Sequence, residues 1–127
     1  MASIVLIVDD SESCRAMLEL ALEDLPGVDL LTAADGREAL AAIAHYGESL
    51  RALVTDLHLP RMDGFALIAA ARALPGRSSL PIIVVSGDCH PSTPDRLRRL
   101  AVDHHIVKPY SPAAVRRILE RYLHAPD

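Results

Sequence analysis

The chain has 127 residues, enough for one domain that buries well over half of its extended-chain surface, so its stability needs neither disulfides nor a structural metal. A net charge of -4 gives no general attraction to nucleic acid or anionic membranes, and no apolar run approaches the roughly 20 residues that span a bilayer. Met1-Ala2-Ser3 leads into a short apolar run without a basic leader segment, and Cys14 and Cys89 lack metal-ligand spacing, so a cytoplasmic chain with reduced thiols is expected.

Short β-branched runs alternate with helix-period stretches, the pattern of a parallel sheet covered by helices. Residues 4–8 are continuously apolar, as a strand covered on both faces requires. After Asp9-Asp10-Ser11, the apolar residues Met17, Leu18, Ala21, Leu22 and Leu25 form a helical stripe that ends at Pro26-Gly27. Residues 28–32 make a second strand, and Asp35 with Glu38 three positions on starts a helix carrying Ala39, Leu40 and Ile43. A third strand, 52–55, delivers Asp56 at its carboxyl end, and Pro60 and Gly64 bracket the loop to a helix with Phe65 and Ile68 that closes at Pro75-Gly76. The fourth strand, 82–85, ends at Ser86-Gly87, and Thr93 and Pro94 suit the N-cap and first position of a short fourth helix. The fifth strand, 105–107, runs into Lys108-Pro109, and Ser111-Pro112 starts a last helix with Val115, Ile118, Leu119 and Tyr122 on one face. The expected fold is α/β, a five-stranded parallel sheet doubly wound with five helices, as one domain over residues 1–127 with no output domain.

In such a sheet ligands bind beyond the carboxyl ends of the strands, where Asp9, Asp10, Asp56, Ser86 and Lys108 collect. Carboxylates crowded into a partly desolvated cleft either share protons or surround a cation, and Mg²⁺ suits hard oxygen ligands. Asp56 could then attack a phosphorus atom whose oxygens are shared among the cation, the Lys108 ammonium and the Ser86 hydroxyl.

Four segments carry a resemblance: Val8-Asp9-Asp10-Ser11, Asp56-Leu57-His58-Leu59-Pro60-Arg61-Met62-Asp63-Gly64, Val85-Ser86-Gly87 and Lys108-Pro109. In order and spacing the chain resembles, over essentially its whole length, a response-regulator receiver domain of two-component signalling, of the chemotaxis-regulator-like single-domain kind. The resemblance implies a flavodoxin-like strand order 2-1-3-4-5 and phosphorylation of Asp56 by a histidine kinase or histidine phosphotransfer protein. It implies Mg²⁺, or Mn²⁺, held directly by Asp10, Asp56 and the His58 backbone carbonyl and through water by Asp9. Ser86 would be a switch hydroxyl, Lys108 an ion-pair partner, and the Lys108-Pro109 peptide cis. The signal would leave through the fourth helix, fifth strand and fifth helix to a downstream protein, from a monomer or a weak phosphorylation-dependent dimer. No catalysis beyond self-directed phosphotransfer and autodephosphorylation is expected.

Several positions depart from the family pattern. His105 stands where an aromatic switch residue is common, and its titratable ring could link the switch to pH. Val102-Asp103 replaces a frequent Gly-Ala pair, and His58 and Asp88 occupy positions that tune acyl-phosphate lifetime. Arg96, Arg98, Arg99, Arg116, Arg117 and Arg121 read as a solvated face, or more sharply as a dock for an acidic partner. His104 and His105 point to opposite faces of a strand, which argues against a metal pair, and Tyr110 reads as loop packing. A Mg²⁺-dependent phosphohydrolase with an aspartyl nucleophile is the rival enzyme class, but His58 stands where its second Asp would be. A phosphorylation-independent pseudo-receiver is the other rival, although the acids and the lysine are all retained. Flavin binding lacks a phosphate loop after the first strand.

Overall fold

Successive side chains of a strand point to opposite faces, so a wholly apolar strand must be covered twice. The computed structural model, which describes residues 3–87 and 90–123, meets that demand with a five-stranded parallel sheet. Its strands are β1 (Ser3–Val8), β2 (Val28–Ala33), β3 (Leu50–Thr55), β4 (Ile82–Ser86) and β5 (His104–Val107), in the order β2-β1-β3-β4-β5. The helices are α1 (Glu12–Leu22), α2 (Gly36–Tyr46), α3 (Gly64–Ala73), α4 (Thr93–Arg99) and α5 (Pro112–Leu123). Leu6, Val8, Leu53, Ile82 and Val84 pack with Ile43, Leu67, Ile68 and Leu97 of α2, α3 and α4. Val5, Ile7, Val54, Ile83 and Val85 pack on the other face with Leu18 and Leu22 of α1 and Val115 and Leu119 of α5. Among the described residues, no helix is long and apolar enough to cross a membrane.

Three helix starts are capped by side chains, which satisfy otherwise orphaned N–H groups. Ser11 Oγ accepts from the Cys14 N–H at 3.3 Å, Asp35 Oδ1 from Glu38 at 2.8 Å and Asp63 Oδ1 from Ala66 at 2.8 Å. Glu38 Oε2 accepts in return from Ala34 N at 3.4 Å, one residue before the cap.

Four sequence expectations are corrected. Ser92, not Thr93, is the α4 N-cap residue. The Ser92 hydroxyl is engaged with His90 Nδ1 at 2.7 Å, so it makes no cap bond, and Thr93 is buried in the first turn. Met17 is 56% exposed, because α1 seats itself on Leu18 and Leu22, and the neighbouring position turns outward. β5 begins at His104 rather than His105, since His104 pairs in register with Ile83. The fourth correction concerns the arginines and follows with the site.

At the Val102-Asp103 departure the left-handed residue is Ala101, with φ 58°. The turn is held from both sides. Arg72 donates to the carbonyls of Leu80 (2.5 Å), Ala101 (2.7 Å) and Leu100 (3.2 Å). Asp103 exchanges bonds with Ile82: its Oδ2 accepts from Ile82 N at 2.8 Å and its N–H donates to Ile82 O at 3.0 Å.

Candidate functional site

The sheet ladder runs one residue past the strand ends. Asp9 N donates to Ala33 O at 3.2 Å, Asp56 N to Val8 O at 2.9 Å and Lys108 N to Ser86 O at 2.9 Å. This alignment brings the ends of β1, β3, β4 and β5 to one rim. Asp9 and Asp56 are buried there, Asp10 is exposed, and carboxylate oxygens of all three lie within 4.8 Å of one another. Ser86 is wholly buried at the end of β4.

Lys108 Nζ donates to Asp56 Oδ2 at 2.8 Å and to Asp9 Oδ2 at 3.1 Å. Burial alone would lower the lysine pKa, but the bonds to Asp56 and Asp9 outweigh it and hold the ammonium charged well above its ordinary range. The other Asp56 oxygen, Oδ1, accepts from the N–H of Leu57 (2.6 Å) and of His58 (3.2 Å). The carboxylate is therefore oriented by backbone on one side and by an ammonium on the other. Asp9 Oδ1 accepts from Ser11 N at 2.9 Å, and Arg15 donates to the Asp9 carbonyl at 2.6 Å. Three carboxylates against one ammonium leave an excess of negative charge among hard oxygen donors, a set that fits a divalent cation.

Two glycines bring other elements onto the acceptor loop. A Cβ at Gly64 would lie 2.3 Å from the Asp56 carbonyl oxygen, and one at Gly36 would lie 2.1 Å from that of Met62. Gly64 N donates to Leu57 O at 2.8 Å, and Arg61, at φ 68°, pairs with Asp35 at 3.2 Å. The loop between β3 and α3 is thus clamped from α2 and from α3. Sequence reading assigned no role to Gly36 or Arg15; the only signal was their place directly after a cap and one turn into α1.

His58 is exposed and lines a cavity of about 250 Å³ with Leu57, Asp63, Phe65, His90 and Arg96. His105 pairs in register with Val84, and its Nε2 is buried with no hydrogen-bond partner among the described residues. Asp88 and Cys89 lie outside the described residues. The Lys108-Pro109 peptide is cis. Tyr110 packs against the α1/α5 core, where burial, reinforced by the charge of Cys14, pushes its phenol up to about 12. With Cys14, Met17, Lys108, Pro109 and Pro112 it lines a cavity of about 410 Å³. His104 bonds to the Tyr122 hydroxyl at 3.2 Å.

The six arginines do not form one solvated face. Arg116 donates to the Ala21 carbonyl at 2.8 Å and pairs with Asp24, which ties α5 to α1. Arg98 pairs with Asp95, and Arg96 stacks on Phe65 with 3.6 Å from its guanidinium carbon to the ring centroid. Helix geometry turns them in different directions, leaving Arg99, Arg117 and Arg121 without an ion pair among the described residues.

The model of the response regulator receiver domain family matches residues 5–120. A chemotaxis protein CheY homolog of Campylobacter jejuni is 31% identical over 119 residues, covering 94% of this chain and 91% of that one. The structure of chemotaxis protein CheY4 of Vibrio cholerae superposes with a TM-score of 0.84 at 32% identity, covering 97% of this chain and 100% of that one. The receiver domain of sensor histidine kinase PA1611 of Pseudomonas aeruginosa, solved with magnesium in its active site cleft, shares the fold at a TM-score of 0.83 and 23% identity, covering 98% of this chain and 100% of that one.

Proposed function

Since the chain belongs to the response regulator receiver domain family, we propose that it takes a phosphoryl group onto Asp56 from a histidine kinase or histidine phosphotransfer protein in the cytoplasm. The observation that carries this reading is the two-sided grip on one buried carboxylate, with Oδ1 on two backbone N–H groups and Oδ2 on Lys108. A gripped carboxylate has its attacking lone pairs oriented before the donor arrives. In the transfer, an Asp56 oxygen forms the new bond to phosphorus as the donor's phosphorus–nitrogen bond breaks, and the imidazole nitrogen keeps the electron pair. Lys108 holds its proton throughout and follows the charge of the transferred oxygens, and the Ser86 hydroxyl donates to one of them.

Asp10, Asp56 and the His58 carbonyl would hold Mg²⁺ or Mn²⁺ directly, and Asp9 through water. The cation, when bound, supplies positive charge beside the transferred oxygens; the three clustered carboxylates support this reading, and the PA1611 receiver, which shares the fold, was solved with magnesium in its active site cleft. His58 and Asp88 set the lifetime of the acyl phosphate by controlling the approach of water, and His105 reports its presence by rotating. The change is read on α4, β5 and α5 by a downstream protein, and residues 1–127 act as one receiver unit.

Incubation with acetyl phosphate and Mg²⁺, followed by intact mass, tests the assignment. The wild type gains one phosphoryl group and Asp56→Asn gains none; gain in both, or in neither, overturns it. Replacement of His58 changes the autodephosphorylation rate, and an unchanged rate removes that residue from the mechanism.

A further inference from the structure

Two cavities meet where Arg96 stacks on Phe65. The one beside His58 and a groove of about 480 Å³ between α3 and α4 share Asp63, Phe65 and Arg96. The groove is floored by Ala66 and Ala69 and walled on the α4 side by Arg96 and Arg99. Three residues apart, these two arginines lie on one face of α4, and neither has a carboxylate partner among the described residues. Asp63 is the only acid on the lining, and its Oδ1 is engaged by the Ala66 N–H. The groove therefore offers two guanidinium groups outside any ion pair against one carboxylate, a net positive lining above a floor of exposed methyl groups, small enough to admit the backbone of a helix.

We propose that the α3–α4 groove docks an acidic helical segment of a partner protein, whose carboxylates engage Arg96 and Arg99 and draw Arg96 off Phe65. A carboxylate seated in the groove competes with the ring for the Arg96 guanidinium, and gains where docking takes the new pair out of water. Phe65 is the second residue of α3, directly after the glycine that lies on the Asp56 carbonyl and donates to Leu57 O. A change at the Phe65–Arg96 contact thus bears on the backbone that carries the acceptor. Linkage is reciprocal, so the phosphoryl state of Asp56 changes the affinity of the groove. That linkage rests on the acceptor role proposed above; the docking itself does not.

The probe is a fluorescein-labelled alanine/glutamate helical peptide with Glu at three- and four-residue spacing, titrated into the unphosphorylated full chain and followed by anisotropy. Binding is saturable, Arg96→Gln and Arg99→Gln each weaken it at least about fivefold, and Arg117→Gln on α5 leaves it within about twofold. The glutamine version of the peptide does not bind, and inorganic phosphate at equal ionic strength does not displace the probe. Phe65 is the only phenylalanine, so fluorophenylalanine labelling gives one ¹⁹F signal, which moves on peptide addition. Phosphorylation by acetyl phosphate shifts peptide affinity at least about threefold in the wild type and not in Asp56→Asn. No saturable binding, an equal loss in Arg117→Gln, displacement by phosphate or a stationary Phe65 signal overturns the proposal. A wild type that binds the peptide in an Arg96-dependent way but takes no phosphoryl group upholds the dock and overturns only the acceptor reading.

Discussion

The Lys108 ammonium stands 2.8 Å from Asp56 Oδ2, which joins the end of β5 to the end of β3 across β4. The same ammonium reaches Asp9, so its removal leaves two buried carboxylates without a counter-charge. Lys108→Met is expected to lower unfolding free energy by about 3 kcal/mol at neutral pH without divalent ions. Mg²⁺ should raise the urea midpoint of the variant more than that of the wild type, because it replaces the missing charge. Urea titrations of both proteins with and without Mg²⁺ decide this, and an equal rise in the two would refute it.

Gly64→Ala would thrust a methyl group against the Asp56–Leu57 peptide, 2.3 Å from Asp56 O and 2.6 Å from Leu57 Cα. Backbone cannot swing aside as a side chain does, so the cost is expected at about 3 kcal/mol or more, and phosphorylation slows with it. Gly87→Ala meets nothing within 4 Å and serves as the control, with a thermal midpoint near that of the wild type.

Ala101 holds a left-handed conformation that an L side chain resists. Ala101→Gly is expected to stabilise the fold by about 0.5–1 kcal/mol, the relief of strain exceeding the added entropy of the unfolded chain. A lower urea midpoint in the variant would contradict this.

Arg72 binds the carbonyls of Leu100 and Ala101 in the turn between α4 and β5 and that of Leu80 just before β4. Truncation to Ala leaves those acceptors short of a charged donor, at a cost of about 2–4 kcal/mol. Hydrogen exchange should rise first around residues 100–103, and uniform exchange across the sheet would count against a local role.

Tyr110 keeps its proton to about pH 12 in the folded chain, whereas an unfolded tyrosine loses it near pH 10. Between those values the unfolded state binds fewer protons, so its population grows as pH rises. The wild type should therefore lose stability relative to Tyr110→Phe between pH 10 and 12, and the two should run parallel below pH 9. Parallel denaturation midpoints up to pH 12 would show that the phenol does not resist ionisation.

What was legible in the sequence depended on periodicity and on strand ends. Asp9, Asp56, Ser86 and Lys108 each follow an apolar run, and a parallel sheet leaves such residues nowhere to go but a common rim. Periodicity located α1 but misjudged Met17, because a stripe of 3.6-residue period does not say which flank will rest on the sheet. The Ser92 cap was missed because His90 competes for its hydroxyl, a choice that local preference does not contain. Gly36 against Met62, Arg72 against Leu100 and Arg96 on Phe65 join residues 26 to 31 positions apart, where no spacing rule operates and only assembled distances reveal the contact.

The packing of Tyr110 beside Lys108 also has an optical consequence. With no tryptophan and three tyrosines, the chain's ultraviolet emission comes from Tyr46, Tyr110 and Tyr122 alone. Tyr110 shares a cavity with the lysine that faces the acceptor; Tyr46 lies at the far end of α2, and Tyr122 of α5 is bonded to His104 of β5. The unlabelled protein thus carries a native fluorophore at the rim of its own site, and stopped-flow emission can follow events there on the millisecond scale.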